Sequence, residues 1–179
     1  MERTIRVKDK DFSIFIKADE IESAVKKLAD QINIDAKDEN PIFLVILNGA
    51  FMFAADLLKK VNINCSVSFV KLASYSGTQS SNVVKEIIGL TENIEGRSVI
   101  VVEDIIDTGK TLEVLLNKLK DLGVGKVRLA ALLHKPDAFL SSYSIDYVGI
   151  NIPNEFIVGY GLDYDGYARN FPDIYKIVE

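Results

Sequence analysis

One stretch restricts the fold more than any other: Val99-Ile100-Val101-Val102-Glu103-Asp104-Ile105-Ile106-Asp107-Thr108-Gly109-Lys110-Thr111-Leu112. An apolar run rich in β-branched residues reads as a strand buried on both faces, which requires a parallel sheet covered by helices. The run ends in two adjacent carboxylates, crosses a short loop carrying a third, and enters a helix through Thr-Gly-Lys-Thr. A strand therefore delivers a polar cluster to the C-terminal edge of a sheet, where open α/β sheets bind ligands. A helix start behind a glycine turn offers unpaired backbone N–H groups and a positive dipole end to a phosphate.

An acidic loop that merely keeps the strand end soluble is the plainer reading of each residue singly. It leaves unexplained three carboxylates within five positions, Glu103, Asp104 and Asp107. Like charges so close repel and favour a bound cation or a cationic transition state. Gly109-Lys110-Thr111 also matches the end of the nucleotide-triphosphate loop, but that motif needs glycine where Asp104 stands.

The run resembles the phosphoribosyl-pyrophosphate (PRPP) motif of the type I phosphoribosyltransferases, in the form found among hypoxanthine phosphoribosyltransferases. The resemblance extends from about residue 40 to 170. It implies a central, mainly parallel twisted sheet flanked by helices, in one domain over residues 1–179. The core would span about 40–135, and a hood would form from about 1–17 and 150–179.

Composition agrees with such a chain. Its 179 residues, 48% hydrophobic and 26% charged, suit one domain with a buried sheet. The net charge of −5 argues against a nucleic-acid partner, and an acidic protein handling a phosphorylated substrate needs local neutralisation, for which Mg²⁺ is the expected agent. Cys65 and His134 are the only residues of their kinds, which excludes an internal disulfide and argues against a structural zinc. No signal peptide, membrane span or membrane partner is expected, and the cytoplasm is the expected compartment.

Along the chain, Phe12, Ile14 and Ile16 alternate as in a short strand. A helix is expected from Asp19, with Asp19 and Glu22 as a capping box and Ile21, Val25, Leu28 and Ile32 as its apolar stripe. Ile42 to Leu47 reads as a central strand ending at Asn48-Gly49, before a helix through Leu58. Strands are expected at Cys65 to Leu72 and Val83 to Leu90. The polar stretch 73–82 between them is long for a hairpin connection. The helix after Thr111 shows Leu112, Leu115, Leu116, Leu119 and Leu122 on one face and stops at Gly123, and strands follow at 126–133 and 146–150.

The resemblance assigns roles residue by residue. Backbone and hydroxyl groups of Thr108, Gly109, Lys110 and Thr111 would hold the 5-phosphate. Glu103 and Asp104 would meet the ribose hydroxyls directly or through Mg²⁺, and Asp107 would be the general base. Asn48 and Gly49 correspond to a pyrophosphate-binding loop of Leu-Lys-Gly type, with Asn48 where many members carry Lys. Arg169 would contact pyrophosphate, and Asp163 would help hold a second Mg²⁺. Phe156 would stack on the purine and Ile157 would meet its edge through the backbone. Lys135 would donate to a 6-oxo group, which an ammonium prefers over a 6-amino group. Ser74 and Tyr75 would belong to a lid that keeps water from the sugar.

The expected reaction moves a phosphoribosyl group from PRPP to hypoxanthine or guanine, making IMP or GMP and pyrophosphate in purine salvage. A xanthine-preferring transferase and a PRPP-binding regulator without turnover are the alternatives. A homodimer or homotetramer is implied by the family. His134 is read as a packing or surface residue.

Overall fold

A computed structural model describes residues 4–74, 84–88 and 92–178, with 72–74 and 84–88 described by backbone alone. In chain order the elements are β1 (Thr4–Val7), β2 (Lys10–Ile16), α1 (Ala18–Asp35), β3 (Ile42–Leu47), α2 (Phe51–Leu58), β4 (Ser66–Ser74) and β5 (Val84–Ile88). Then come β6 (Ser98–Ile106), α3 (Lys110–Asp121), β7 (Lys126–His134), β8 (Tyr147–Asn151), β9 (Ile157–Val158) and β10 (Ile174–Ile177).

Six strands form the main sheet in the order β5-β4-β3-β6-β7-β8. All neighbours pair in parallel except β5, which runs antiparallel on the edge. Successive residues of the central strands feed opposite faces, as the pleat requires. Phe43, Val45, Ile100 and Val102 pack beneath α1 and α2. Ile42, Leu44, Val99 and Val101 pack against Leu112, Leu115, Leu116 and Leu119 of α3. Each such side chain contributes about 1.5–3 kcal/mol of burial, so the apolar runs of β3 and β6 belong at the centre.

The strand order reverses between β3 and β6. From β3 the chain moves through α2 to β4 on one side; from β6 it moves through α3 to β7 on the other. Their C-terminal ends diverge into the crevice that doubly wound sheets use for ligands. The loop at Asn48-Gly49 and the acids after Val102 share that crevice.

A second sheet, in the order β1-β2-β10-β9, is wholly antiparallel and joins both ends of the chain. Val7, Phe12, Val158, Ala168 and Tyr175 form its small core. It is fastened to the main body by hydrogen bonds from Ala18 N–H to Asp173 Oδ1 at 2.8 Å and from Tyr160 Oη to Asp56 Oδ2 at 2.7 Å.

Two details differ from the sequence expectation. The capping box at Asp19 is absent: Lys17 is the extended N-cap residue and makes no side-chain cap. The free amide of Ala18 is instead met by Asp173, a partner remote in sequence. Strand β6 also does not stop at the carboxylates but continues through Glu103 and Asp104 to Ile106, because β7 pairs with it as far as His134.

Candidate active site

The turn into α3 is built around Gly109, which takes a left-handed φ of 80° at the N-cap position. A Cβ there would lie 2.9 Å from both the Phe139 ring and Ser141 Cβ, so both conformation and space demand glycine. Thr108 O accepts from Leu140 N–H at 3.1 Å, which ties the turn to the loop after β7. Lys110 and Thr111 are exposed at the start of α3. A cavity of about 260 Å³ opens over this turn, lined by Glu103, Asp107 and Thr108 to Leu112, with Ile46 and Leu47 from β3. The 108–111 turn, Glu103 and Asp107 are thus brought together around one space, whereas Asp104 lies outside its lining.

Glu103 lines that cavity, yet its Oε2 is buried and has no hydrogen-bond partner among the described residues. Burial raises its carboxyl well above the ordinary carboxylate range, and the neighbouring Asp104 raises it further. Asp104 is also buried, and burial pushes its carboxyl up. Hydrogen bonds from Glu103 and the backbone, and the charge of Arg169, pull it back. Asp104 Oδ1 accepts from Ile105 N–H at 2.9 Å. Two buried acids side by side, one with an orphaned oxygen, form a donor set that a hard cation would satisfy.

Asn48 and Gly49 sit against this pair. The Leu47–Asn48 peptide is cis, and the Asn48 carbonyl accepts from Phe51 N–H at 3.3 Å. A Cβ on Gly49 would collide with the Asp104 carboxylate, and one on Gly161 would collide with the Gly49 carbonyl. The loop is therefore layered between β6 and the C-terminal segment, with no room for a side chain at either glycine. Arg169 locks the outer layer: it donates to Gly161 O at 2.6 Å and pairs with Asp163 Oδ1 at 2.6 Å. The other Asp163 oxygen accepts from Gly166 N–H at 2.6 Å.

Asp163 thus stands in an ion pair with Arg169. Among the described residues no group of three or more His, Cys, Asp or Glu side chains is placed to hold a metal ion. Glu103, Asp104 and Asp163 do not form one cage. Mg²⁺ commonly takes only one or two carboxylates, with water and substrate phosphates completing its shell, and the Glu103–Asp104 pair fits that requirement.

On the other side of the turn, the buried Lys135 donates from Nζ to Asp107 Oδ2 at 3.3 Å and to Asn154 Oδ1 at 3.2 Å. Asp107 itself is exposed toward the cavity. Two residues beyond Asn154, Phe156 is 47% exposed. Its position is held by Phe12, with centroids 6.2 Å apart, and edge-on by Tyr164 at 5.8 Å. Ile157 is buried in β9, opposite Lys176 of β10. His134 is a packing residue, bonded through Nδ1 to Asn151 at 3.0 Å and edge-on to Phe139.

Of the two proposed lid residues, Tyr75 lies outside the described residues, and Ser74 is described only as the last residue of β4. Two contributors escape the sequence reading. Asn154 gives no local signal, since a loop asparagine is ordinary. Gly161 does give one: Gly159-Tyr160-Gly161 inside an aromatic-rich segment marks close backbone approach.

A doubly wound sheet with a phosphate-type turn, paired acids and an aromatic hood at its switch point defines a nucleotide-handling α/β protein. Residues 16–165 match the phosphoribosyl transferase domain family, and the chain belongs to that family. Within it, the chain is 42% identical over 162 residues to the hypoxanthine-guanine phosphoribosyltransferase of Streptococcus pneumoniae, covering 90% of both proteins. Its fold matches a hypoxanthine phosphoribosyltransferase from Staphylococcus aureus with a TM-score of 0.87 at 34% identity, over 92% of this chain and 90% of the other. A hypoxanthine-guanine phosphoribosyltransferase from Bacillus anthracis gives 0.87 at 37% identity, over 92% and 98%.

Proposed function

We propose that the chain transfers the 5-phosphoribosyl group of PRPP to a ring nitrogen of a 6-oxopurine, hypoxanthine or guanine, releasing pyrophosphate and forming IMP or GMP for purine salvage. The observation that carries this reading is the Lys135 ammonium, 3.3 Å from Asp107 at the phosphate-type turn and 3.2 Å from Asn154, which stands two residues before the exposed Phe156. One group thereby joins the phosphate half of the site to an aromatic half that suits a flat base.

The first-turn amides of α3 and the hydroxyls of Thr108 and Thr111 hold the 5-phosphate, with Gly109 allowing its close approach and Lys110 adding charge at the rim. Glu103 and Asp104 orient the ribose and would hold Mg²⁺; Asp163 is the candidate ligand of a second ion. When bound, Mg²⁺ supplies positive charge to the pyrophosphate oxygens and makes a better leaving group. Arg169 presents its guanidinium to pyrophosphate beside the backbone of Asn48 and Gly49. As the anomeric bond breaks, positive charge grows on the sugar, and the fixed carboxylates stabilise it electrostatically. Asp107 accepts the ring proton lost by the purine as another ring nitrogen attacks. Phe156 stacks on the base, the Ile157 backbone meets its edge, and Lys135 donates to the 6-oxo oxygen.

The architecture works as one domain, with 40–135 as its core and 1–17 and 150–179 as its hood. A homodimer or homotetramer in the cytoplasm is part of the proposal. Val67 and Phe69, both exposed on one face of β4, support self-association. Among the described residues no helix is long and apolar enough to cross a membrane.

The test supplies PRPP and Mg²⁺ with hypoxanthine, guanine, xanthine or adenine in turn and measures the nucleotide formed. IMP and GMP are the expected products. Adenine as the best acceptor overturns the role of Lys135, and no nucleotide from any base overturns the enzyme.

A further inference from the structure

We propose that Asn154 is a positioning residue that sets the base specificity of this site by aiming the Lys135 ammonium; the inference rests on Lys135 reading the purine 6-position. An ammonium has three N–H donors and no acceptor. Two of them are committed, to Asp107 Oδ2 at 3.3 Å and to Asn154 Oδ1 at 3.2 Å. These two acceptors come from opposite halves of the site. Asp107 belongs to the turn before α3, whereas Asn154 belongs to the hood segment that carries Phe156.

The lysine stem has four rotatable carbons, and with one acceptor its head would follow Asp107 toward the phosphate side. A second acceptor on the hood side holds Nζ between the turn and the segment that carries Phe156, and leaves the third N–H for the ligand. The local chain is shaped for this. Pro153 restricts the backbone just before Asn154, and Glu155 N–H donates to Pro153 O at 2.8 Å, closing a tight turn that presents the amide. Asn154 is itself exposed, while the Lys135 side chain it serves is buried. The contact therefore contributes little burial and much direction. Neutral asparagine also supplies an acceptor without a second negative charge beside Asp107.

Asn154→Leu keeps the approximate volume and deletes the acceptor; Asn154→Asp keeps an acceptor at the same reach. Steady-state kinetics with hypoxanthine and adenine as acceptors, and KM for PRPP, are measured for each with the thermal midpoint. For the Leu variant the hypoxanthine KM rises about tenfold and the hypoxanthine-to-adenine ratio of kcat/KM falls about tenfold, the effect of one charge-assisted hydrogen bond. KM for PRPP moves little, and the Asp variant recovers most of the hypoxanthine KM. Should the Leu variant not fold, Asn154→Ala repeats the deletion. Unchanged hypoxanthine KM and ratio in an acceptor-free variant, or equal damage from Leu and Asp, overturns the inference while leaving the enzyme intact. A parent protein that makes no nucleotide overturns the underlying functional reading and this inference with it.

Discussion

Gly49→Ala adds a single methyl group at the most crowded backbone position of the site. Gly49 does not have a positive φ, so alanine meets no conformational penalty and the effect is purely steric. The new Cβ would overlap the Asp104 carboxylate, with Cγ at 2.5 Å and Oδ1 at 3.0 Å. Recoil of the loop is blocked on the other side, where the Gly49 carbonyl already packs onto Gly161. Asp104 must therefore turn, which breaks its bond from Ile105 N–H at 2.9 Å. Overpacking costs about 1–3 kcal/mol and loss of a hydrogen bond to a buried charge about 1.5–3 kcal/mol, so the expected destabilisation is about 3–5 kcal/mol. For a chain of this length the midpoint should fall by roughly 10 °C. Thermal and urea unfolding of the single variants and the double variant with Asp104→Ala form the assay. Without the carboxylate the alanine methyl has room, and its cost should drop below about 1 kcal/mol, a coupling of about 2 kcal/mol or more. Equal costs in both backgrounds would refute the layered packing of loop, strand and hood.

Asp107→Asn keeps an acceptor for Lys135 but removes the base, so kcat should fall about 10²–10⁴-fold with little change in KM for PRPP; equal losses in both would make Asp107 a binding residue. Arg169→Lys cannot span Gly161 O and Asp163 together as the guanidinium does, and KM for PRPP should rise about 10–100-fold; an unchanged value removes Arg169 from the pyrophosphate site. Glu39, far from the cavity, accepts from Arg128 at 2.6 and 2.8 Å, from Ser98 at 2.7 Å and from Lys126 at 3.0 Å. Arg128 foremost holds its carboxyl far below the ordinary 4.5, so its stabilisation is complete above that pH and is lost as pH falls below it. Glu39→Ala strands the buried Arg128, should cost about 3 kcal/mol at pH 7, and should flatten the acid limb of the stability profile measured by urea unfolding; a parallel acid limb in the variant would contradict this.

The parts of the molecule legible in the sequence are those whose cause is local. Strand β3 appears within its observed bounds because a strand buried on both faces must be apolar throughout. Helix α3 announces itself by its leucine stripe and by Gly123, whose φ of 72° closes it. The turn at Thr108 to Thr111 is readable because a glycine directly before a polar helix start is a local signal. The hood is opaque for the opposite reason. Strand β9 is two residues long and exists only because β10 offers it a ladder, and the cap of α1 comes from Asp173, 155 positions away. The same rule divides the site. Asp107 and the acids lie on one continuous stretch and are read together, whereas the contacts of Gly49 with Asp104, of Gly161 with Gly49 and of Asn154 with Lys135 join segments that no sequence spacing relates. Each of the last two crosses from the main sheet to the C-terminal segment. The proposed phosphate half of the site is thus encoded where it stands, while the proposed base-recognition half comes into being only when the C-terminal segment docks. Substitutions that loosen docking, such as loss of the Tyr160–Asp56 bond, should weaken purine binding before they weaken the hold on the 5-phosphate.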